Sequence, residues 1–508
     1  MKLNGYKPVI GLEIHVQLAT KSKMFGRAPN NPNEKTPNTN IDEVATGEPG
    51  TLPVINSEAV RLGVMVGMAL NCEIPEYSKF DRKHYFYPDL PKGYQISQLD
   101  HPVAEHGWVE IPVPANPERE GNPEAYTKRI RITRAHLEED AGKNTHPEGL
   151  PYSLVDYNRA GSPLLEIVTE PDVETAEEAR IFLQELQRIV RYVGASTADM
   201  EKGTMRCEPN ISVRKPGEET LPKYKVEVKN INSFKFAEAA INYEIPRHIE
   251  MLEEGNMPKQ VTMGWNEKLN ETTEQREKGE ANDYRYMPEP DLPELHFTEE
   301  FKAKLRSEIP ELPNAKRARF AEEFGLAQST IEDLINWKEL NEYFENVVSE
   351  IDAWLVTENK SDDKELRAKL IKLASNWCLQ DFSALLNAEL ANPLEAKVSA
   401  ENMAELVKLI DSGKISSSAA KPVFKTMYEH GGEPHAIVEE LGLSQVSDEG
   451  AIEAAIDTAL AGNEKAVADF KAGNERAFGS IVGAVMKEMK GKANPQVVNE
   501  ILKKKLSD

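Results

Sequence analysis

The chain has 508 residues and a formal net charge of −24, from 61 lysines and arginines against 85 aspartates and glutamates. An acidic balance argues against indiscriminate nucleic-acid binding, which needs a basic surface to displace counterions. The sequence has no run of about 18 apolar residues, so no membrane-spanning helix is predicted.

The cysteines are few and far apart. Cys72, Cys207 and Cys378 form no CxxC pair, so neither a disulfide framework nor a thiolate metal site is predicted. The first residues also lack the apolar segment of a secretory signal. We therefore expect a soluble, cytosolic protein.

Strand signals run from the start of the chain to about residue 295. Segments rich in β-branched residues, bounded by Gly, Pro, Asn and Asp, occur at 7–10, 109–113, 129–133 and 225–229. Amphipathic helices are predicted at 174–194 and 236–253. Because strands and helices do not alternate regularly, the pattern predicts an α+β domain with a mainly antiparallel sheet.

After about residue 298 the pattern becomes helical. Amphipathic segments are predicted at 315–324, 328–349, 363–376 and 379–391. A linker near 392–398 is followed by a second helical block that begins near Ser399. The chain between Lys487 and Lys505 carries six lysines, at 487, 490, 492, 503, 504 and 505. This lysine-rich tail fits either a restricted nucleic-acid contact or a solvated helix.

Three stretches place acids and histidines between apolar strand residues. They contain Glu13 and His15, then Glu138 and Glu139, and finally Glu166. Burying such carboxylates is costly unless a partner compensates their charge. Oxygen-rich ligation with one imidazole suits Mg²⁺ or Mn²⁺. The alternative is that each acid caps a loop or pairs with an arginine, such as those at 131, 134 and 159.

A second cluster mixes cations with aromatic rings between residues 78 and 89. Lys79, Tyr85 and Tyr87 in this cluster fit either the binding of a nucleotide or an ordinary strand with charged flanks. The phosphate-binding GxxxxGK[ST] loop is absent from the sequence. Any ATP is therefore expected outside the familiar nucleotide-binding frameworks.

Six motifs in the right order resemble one family, the B subunits of the bacterial aspartyl/glutamyl-tRNA amidotransferases. They are GLEIH at 11–15, SKFDRK at 78–83, YQISQ at 94–98, HLEEDAGK at 136–143, DYNRAG at 156–161 and DYRY at 283–286. The resemblance covers nearly the whole chain. It implies a cradle-shaped catalytic domain at 1–295, a helical domain at 296–396 and a YqeY-like tail domain at 397–508 that contacts tRNA.

The resemblance also implies a reaction. The family uses ATP and Mg²⁺ to phosphorylate the side-chain carboxylate of mischarged Glu-tRNA(Gln) or Asp-tRNA(Asn). Ammonia from the glutaminase, which is the A subunit, then travels through a polar channel and displaces the phosphate. A small C subunit straps the A and B subunits together in a heterotrimer. The alternative is a non-catalytic tRNA-binding scaffold in the same complex.

Motif positions suggest residue roles. The metal is assigned to Glu13, His15, Glu139 and Glu166, with Glu138 as the alternate because strand alternation puts Glu138 and Glu139 on opposite faces. The phosphates or the substrate carboxylate are assigned to Lys79, Lys92 and Arg159, and the nucleotide to Lys79, Tyr85, Tyr87 and Arg206.

Two departures from the family pattern affect these expectations. The family's arginine–cysteine motif commonly continues with Asp, whereas this chain has Glu208 followed by Pro209, so the role of that position stays open. Some relatives carry a cysteine zinc site. This chain lacks the cysteines for one, and no zinc is expected.

Overall fold

A computed structural model describes residues 3–119, 122–147, 149–277, 284–444, 449–471, 474–489, 493 and 495–507. The chain divides into two compact units, Met1–Ala315 and Lys316–Asp508. Three positions named in the sequence analysis lie outside the described residues: Asp283, Lys490 and Lys492.

All the strands lie in the first unit. They are β1 (Lys7–Gln17), β2 (Tyr77–Ser78), β3 (Asp81–His84), β4 (Tyr94–Ser97), β5 (Ala104–Val113), β6 (Tyr126–Glu139), β7 (Lys143–Thr145), β8 (Leu154–Asp156), β9 (Pro163–Thr169), β10 (Met205–Arg214), β11 (Val226–Lys229), β12 (Val261–Asn266), β13 (Glu271–Glu277), β14 (Met287–Pro288) and β15 (Leu295–His296), as far as the described residues show.

Helices occur in both units. The first unit contains α1 (Ser57–Ala69), α2 (Ala176–Val193), α3 (Phe234–Glu253) and α4 (Glu299–Glu308), and α5 (Pro313–Phe324) begins at its end. The second unit continues with α6 (Gln328–Asn336), α7 (Lys338–Thr357), α8 (Lys364–Trp377), α9 (Ser383–Glu389), α10 (Ala400–Asp411), α11 (Ser417–His430), α12 (Pro434–Glu440), α13 (Glu449–Gly462), α14 (Glu464–Lys471), α15 (Glu475–Glu488) and α16 (Pro495–Ser507).

The main sheet has eight strands in the order β13-β12-β11-β10-β1-β9-β6-β5. Its neighbours pair antiparallel, except β11 and β12, which are parallel and are connected through α3. A parallel pair needs such a crossover because its two strands start at the same edge of the sheet. The sheet followed by helices confirms the predicted α+β class.

Helices cover one face of this sheet. Helix α1 packs against β5 and β6, α2 against β5, and α3 against β10 and β13. The covered face is apolar because every second residue of β1 points towards it, and Leu12, Ile14 and Val16 are fully buried there. The intervening side chains of β1 therefore emerge on the opposite face.

Strand β6 contains a bulge where it pairs with β9. Ile132 pairs with Thr169 and Arg134 with Val168, which leaves Thr133 as an extra residue. Ile130 and Ile132 before the bulge are buried, and after it the buried alternation continues at Ala135 and Leu137. The bulge thus shifts the alternation by one residue, so that His136 and Glu138 do not share the face of the core residues.

The second unit differs in detail from the predicted helices. The segment predicted as one helix at 328–349 is interrupted at Trp337, whose extended backbone (φ −121°, ψ 98°) separates α6 from α7. These two helices pack against each other, so the break allows both apolar stripes to be buried. The predicted helix at 379–391 forms a π-helical turn at Cys378–Phe382 followed by α9.

The last helices form their own core. Ile452 and Ile456 of α13 pack with Ile481 and Val485 of α15 and with Leu502 of α16. Further upstream, α10 packs against α7 and α8. The division at 295 and 396 stays a prediction. In the described part of the chain, no helix is long and apolar enough to cross a bilayer.

Two glycines bring α1 close to the sheet. A Cβ atom on Gly63 would lie 2.9 Å from Cδ2 of Leu137, and one on Gly67 would lie 2.5 Å from Cβ of Ala104. The second neighbour cannot swing away because it is attached directly to the backbone of β5. Gly67 is therefore required by this helix–sheet contact.

We predict that Gly67→Ala lowers the free energy of unfolding by about 1–3 kcal/mol, because the added methyl overpacks this contact. Urea denaturation monitored by hydrogen exchange in α1 and β5 would measure the change. The matched control is Gly479→Ala in α15. Its Cβ meets nothing within 4 Å, and it should stabilise by about 0.5–1 kcal/mol. Equal stability of Gly67→Ala and the parent chain would contradict the prediction.

Candidate active site

Four neighbouring strands place a row of polar side chains on the face opposite the apolar core. His136 of β6 pairs with Glu166 of β9, Glu166 with His15 of β1, and His15 with Arg206 of β10. Adjacent residues such as Ile14 turn into the core because side chains alternate along a strand. The pairing register therefore brings together residues that are far apart in the sequence.

Glu138 joins this row and completes a cluster of two histidines and two glutamates. His15 Nε2 lies 3.4 Å from Glu166 Oε2 and 3.6 Å from Glu138 Oε1. His136 Nε2 lies 3.3 Å from Glu166 Oε2 and 3.8 Å from Glu138 Oε2. Ser97 Oγ also donates a hydrogen bond to Glu138 at 3.2 Å. We call His15, His136, Glu138 and Glu166 the His–Glu cluster.

Opposite charges compensate the burial of the His–Glu cluster. Burial lowers the pKa of His136, but Glu166 and Glu138 outweigh it and raise that pKa to about 9. Burial also lowers the pKa of His15, and the same two carboxylates raise it above its usual value. The pKa of Glu166 lies well below normal, because the histidines outweigh its burial. The two carboxylates thus favour the protonated form of both histidines, which compensates part of the buried negative charge.

Glu13 belongs to a neighbouring group of acids. It pairs with Glu208 across β1 and β10, and carboxylate oxygens of Glu13, Glu208 and Glu227 lie within 4.8 Å of one another. Burial, followed by repulsion from Glu166, raises the pKa of Glu13 to about 7. Lys229 Nζ lies 2.9 Å from Glu208 and 3.8 Å from Glu227. Glu208, where the family commonly has Asp, thus contacts a cation and two acids.

Glu139 is turned away from the His–Glu cluster, contrary to its assignment to the metal. Its Oε1 lies 2.6 Å from Lys92 Nζ and accepts a hydrogen bond from the Ile96 amide at 2.9 Å. The residue is 1% exposed, so this ion pair is buried. Because Glu138 follows His136 at i+2, strand alternation selects Glu138 for the cluster and Glu139 for the opposite side. Because Lys92 pairs with Glu139, it also lies on that opposite side of the strand.

Two arginines meet at the acid that follows. Arg206 Nη2 lies 2.9 Å and Arg159 Nε 3.4 Å from Asp140 Oδ2. Arg159 also donates to the carbonyl oxygens of Ala141 at 3.0 Å and Gly142 at 2.8 Å. Burial raises the pKa of Asp140, but the two arginines outweigh it and lower that pKa. Arg206 is thus placed beside His15, whereas Arg159 is engaged by backbone carbonyls.

The remaining predicted residues lie on other elements. Lys79 Nζ is 2.7 Å from carboxylates of both Asp81 and Asp100. The Tyr85 ring meets the Tyr284 ring edge to face at 6.4 Å, and Tyr87 is exposed. The structure does not bring Lys79, Tyr85 or Tyr87 into the His–Glu cluster.

Sequence reasoning missed His136 and Lys83 as site residues. Lys83 Nζ lies 5.1 Å from the centre of the Tyr284 ring. Burial lowers the pKa of Lys83, but Glu138, Tyr286 and Glu166 outweigh it and raise that pKa. Lys83 therefore places positive charge near the cluster. The i, i+2 spacing of His136 and Glu138 was the available signal for His136, whereas no local signal was available for Lys83.

A cavity of about 1210 Å³, which we call the large cavity, lies on the β10 and β11 side of the site. Its lining includes Gln17, Arg206, Glu208, Lys229 and Trp265. Further cations, Lys143, Arg159, Lys202 and Lys268, also line it. Acids also line it, namely Glu34, Asp156, Glu201, Glu208 and Glu267, so the large cavity is polar and carries charges of both signs.

Comparisons with known proteins identify the family of this chain. A family model described as the GatB/GatE catalytic domain matches residues 8–303, and a second described as the GatB domain matches 364–506. Curated relatives are named as B subunits of aspartyl/glutamyl-tRNA(Asn/Gln) amidotransferase. The chain is 46% identical over 506 residues to the Thermotoga maritima protein, with 99% of each chain covered.

Two further relatives carry the same name. The chain is 45% identical over 498 residues to the Halalkalibacterium halodurans protein and 45% identical over 499 residues to a Listeria monocytogenes protein, with 98% of each chain covered. Both family models and full-length identity therefore agree. The chain belongs to the family of the B subunits of aspartyl/glutamyl-tRNA(Asn/Gln) amidotransferases.

Proposed function

We propose that this chain activates the side-chain carboxylate of mischarged Glu-tRNA(Gln) or Asp-tRNA(Asn) with ATP and amidates it with ammonia. The observation that carries the proposal is the His–Glu cluster on one face of a catalytic-domain sheet, beside a large polar cavity. The names of the relatives support the substrate class. A glutaminase partner as the ammonia source and a small third subunit belong to the proposal.

The donor atoms of the cluster fit a hard divalent cation. Ligand atoms of Glu13, His15 and Glu166 lie within 4.8 Å of one another, and so do those of His136, Glu138 and Glu166. Carboxylate oxygens with few imidazoles suit Mg²⁺ or Mn²⁺ better than zinc. We propose that Glu13, His15, Glu138 and Glu166 hold Mg²⁺. The expected absence of zinc stays a prediction.

The proposed chemistry needs positioning and charge rather than a protein nucleophile. An oxygen of the substrate carboxylate forms a bond to the γ-phosphorus as the bond to ADP breaks, which gives an acyl phosphate. Ammonia then adds to the acyl carbon, phosphate leaves and one proton is released. Mg²⁺ would neutralise phosphate charge. Arg206 and Lys83 are placed to stabilise negative charge beside the cluster.

The opposite side of β6 supports a separate role for Glu139 and Lys92. They form a buried ion pair, and the Gln95 side chain donates to the Glu139 carbonyl. Buried polar groups of this kind suit a path for ammonia, which must exclude water but offer hydrogen bonds. We propose that ammonia approaches the acyl phosphate from this side.

Adjacent carboxylates provide the first test. In the assembled complex, Glu138→Gln should lower tRNA-dependent ATP hydrolysis by about 100-fold or more. The substitution removes a negative charge that would hold the cation, and the cation stabilises the transition state of phosphoryl transfer. Glu139→Gln should retain ATP hydrolysis and lose amidation. Glu110→Gln, a partly exposed acid paired with Arg129, is the matched control. If Glu138→Gln and His15→Ala amidate normally, the non-catalytic scaffold is the better description.

Metal binding should depend on pH. Glu13, a proposed ligand, has a raised pKa of about 7, and His136, which lies beside the ligands, has one of about 9, so at neutral pH the metal-free site holds protons that a bound cation would disfavour. Mg²⁺ affinity should rise with pH between about 6 and 9, roughly tenfold per pH unit for each proton released. Calorimetry in buffers of different ionisation heats counts those protons. An affinity independent of pH would contradict this prediction.

The lysine-rich tail provides a test of tRNA binding. Lys487 and Lys504 are exposed, whereas Lys505 is paired with Glu453 and Asp457 of α13. Replacing Lys487 or Lys504 by Ala should weaken tRNA binding and reduce the slope of log K against log salt by about 1 each. Lys505→Ala is the control because its charge is compensated within the chain. Equal effects of all three replacements would contradict a specific contact.

A further inference from the structure

Lys23 is a buried lysine that the proposed chemistry leaves without a role. It lies in the segment after β1 and is 1% exposed. Its ammonium donates hydrogen bonds to the carbonyl oxygen of Asn158 and, at 3.3 Å, to Ser162 Oγ. Both acceptors belong to the 157–162 loop, which connects β8 to β9 and carries Arg159. Lys23 thus contacts an active-site loop from a distant part of the sequence.

The ammonium of Lys23 is held by neutral groups. Among the described residues it forms no direct ion pair, and its two partners are a carbonyl and a hydroxyl oxygen. Burial lowers the pKa of Lys23 to about 8, because the more distant carboxylates of Asp42, Asp140, Asp156 and Glu139 offset only part of the burial. A buried charge is costly, and an apolar side chain of similar length is often the more stable alternative. The charge therefore indicates a role besides filling the core.

The 157–162 loop is bound to both backbone groups of Asp140. The Gly161 amide donates a hydrogen bond to the Asp140 carbonyl oxygen at 2.8 Å, and the Asp140 amide donates one to the Ser162 carbonyl oxygen at 2.8 Å. Gly161 has a φ of +77°, which favours glycine and lets the loop turn at this contact. The position of Asp140 therefore depends on the position of the loop.

The chain around Lys23 contacts the same loop. The amide of Met24 donates a hydrogen bond to the Gly161 carbonyl oxygen at 2.7 Å. On the other side of the loop, the side chain of Asn158 accepts a hydrogen bond from the Thr39 amide at 2.7 Å. The ammonium of Lys23 thus lies where two earlier segments of the chain meet the 157–162 loop.

Asp140 in turn holds Arg206. Its Oδ2 lies 2.9 Å from Arg206 Nη2, and Arg206 is paired with His15 of the His–Glu cluster across β1 and β10. A displacement of Asp140 would therefore move the guanidinium relative to the cluster. The stabilisation of developing charge depends on its position, and a misplacement of about 1 Å can cost on the order of 100-fold in rate.

We propose that Lys23 is a positioning residue: its ammonium holds the 157–162 loop against Asp140 and thereby places Arg206 to stabilise negative charge during phosphoryl transfer. This inference rests on the proposed function. Lys23 acts through other residues, because Asn158 and Arg159 of the loop line the large cavity and Lys23 does not.

Two lysines of the same segment provide the first test. In the assembled complex, Lys23→Met keeps the length of the side chain and removes its charge. It should lower kcat for tRNA-dependent ATP hydrolysis about tenfold and leave both KM values within about twofold, because it affects the transition state and not substrate binding. Lys21→Met, at an exposed position, is the matched control and should keep kcat. A folded Lys23→Met complex with unchanged kcat would overturn the proposal.

A double-mutant cycle tests whether Lys23 acts through Arg206. If it does, Lys23→Met should cost little further activity in an Arg206→Ala complex, because the group that Lys23 positions is already missing. A lysine that only stabilises the fold would add its own loss to that of Arg206→Ala. Additive losses would therefore overturn the proposal.

The pH profile of kcat keeps the role of Lys23 testable even if Lys23→Met does not fold. With saturating Mg²⁺, kcat of the unmodified complex should fall above a pH of about 8, where Lys23 loses its proton. Ser162→Ala removes one acceptor of the ammonium, which favours the neutral amine and should move this fall to lower pH. Lys21→Met should leave the profile unchanged.

The two proposals fail in different ways. If the unmodified complex shows no tRNA-dependent ATP hydrolysis, the proposed function itself fails. If that complex hydrolyses ATP but its kcat does not fall above this pH, or Ser162→Ala does not move the fall, only the role of Lys23 is overturned.

Discussion

The active-site half of this molecule depends on the compensation of buried charge across paired strands. The His–Glu cluster places two imidazoles between two carboxylates, and its members come from β1, β6 and β9. Removing one partner from such a network leaves an uncompensated buried charge, which costs several kcal/mol. The network therefore favours the same strand register that the apolar core favours on the opposite face.

Three consecutive acids at the end of β6 show how specific this compensation is. Glu138 joins the two histidines, Glu139 pairs with Lys92 on the other side of the strand, and Asp140 meets Arg206 and a second arginine. Each of the three carboxylates thus has a different set of partners: Glu138 the histidines, Glu139 a lysine and Asp140 two arginines. A short acidic motif, all of it buried, separates into three environments that differ in their partners.

Local patterns were sufficient to predict α2, α3 and the apolar setting of the acids, but α1 and α4 were not predicted. The stripe at 174–194 matches α2, because its burial follows the helical period. Non-local features were not readable from the sequence: the choice between Glu138 and Glu139 depends on pairing with β9, and the approach of Lys83 depends on β3. The break at Trp337 depends on how two apolar stripes pack together.

The bulge at Thr133 makes the chain length between two parts of β6 critical. Before the bulge, Ile130 and Ile132 point into the apolar core. After it, His136 and Glu138 point into the active site. Loss or gain of one residue here would exchange the two faces of the strand end and turn Glu138 towards the side of Lys92. A substitution of Thr133 removes the hydrogen bond that its hydroxyl donates to Glu170 at 2.8 Å but keeps the alternation of the strand. A deletion of one codon at this position would instead change which side chains of β6 reach the active site.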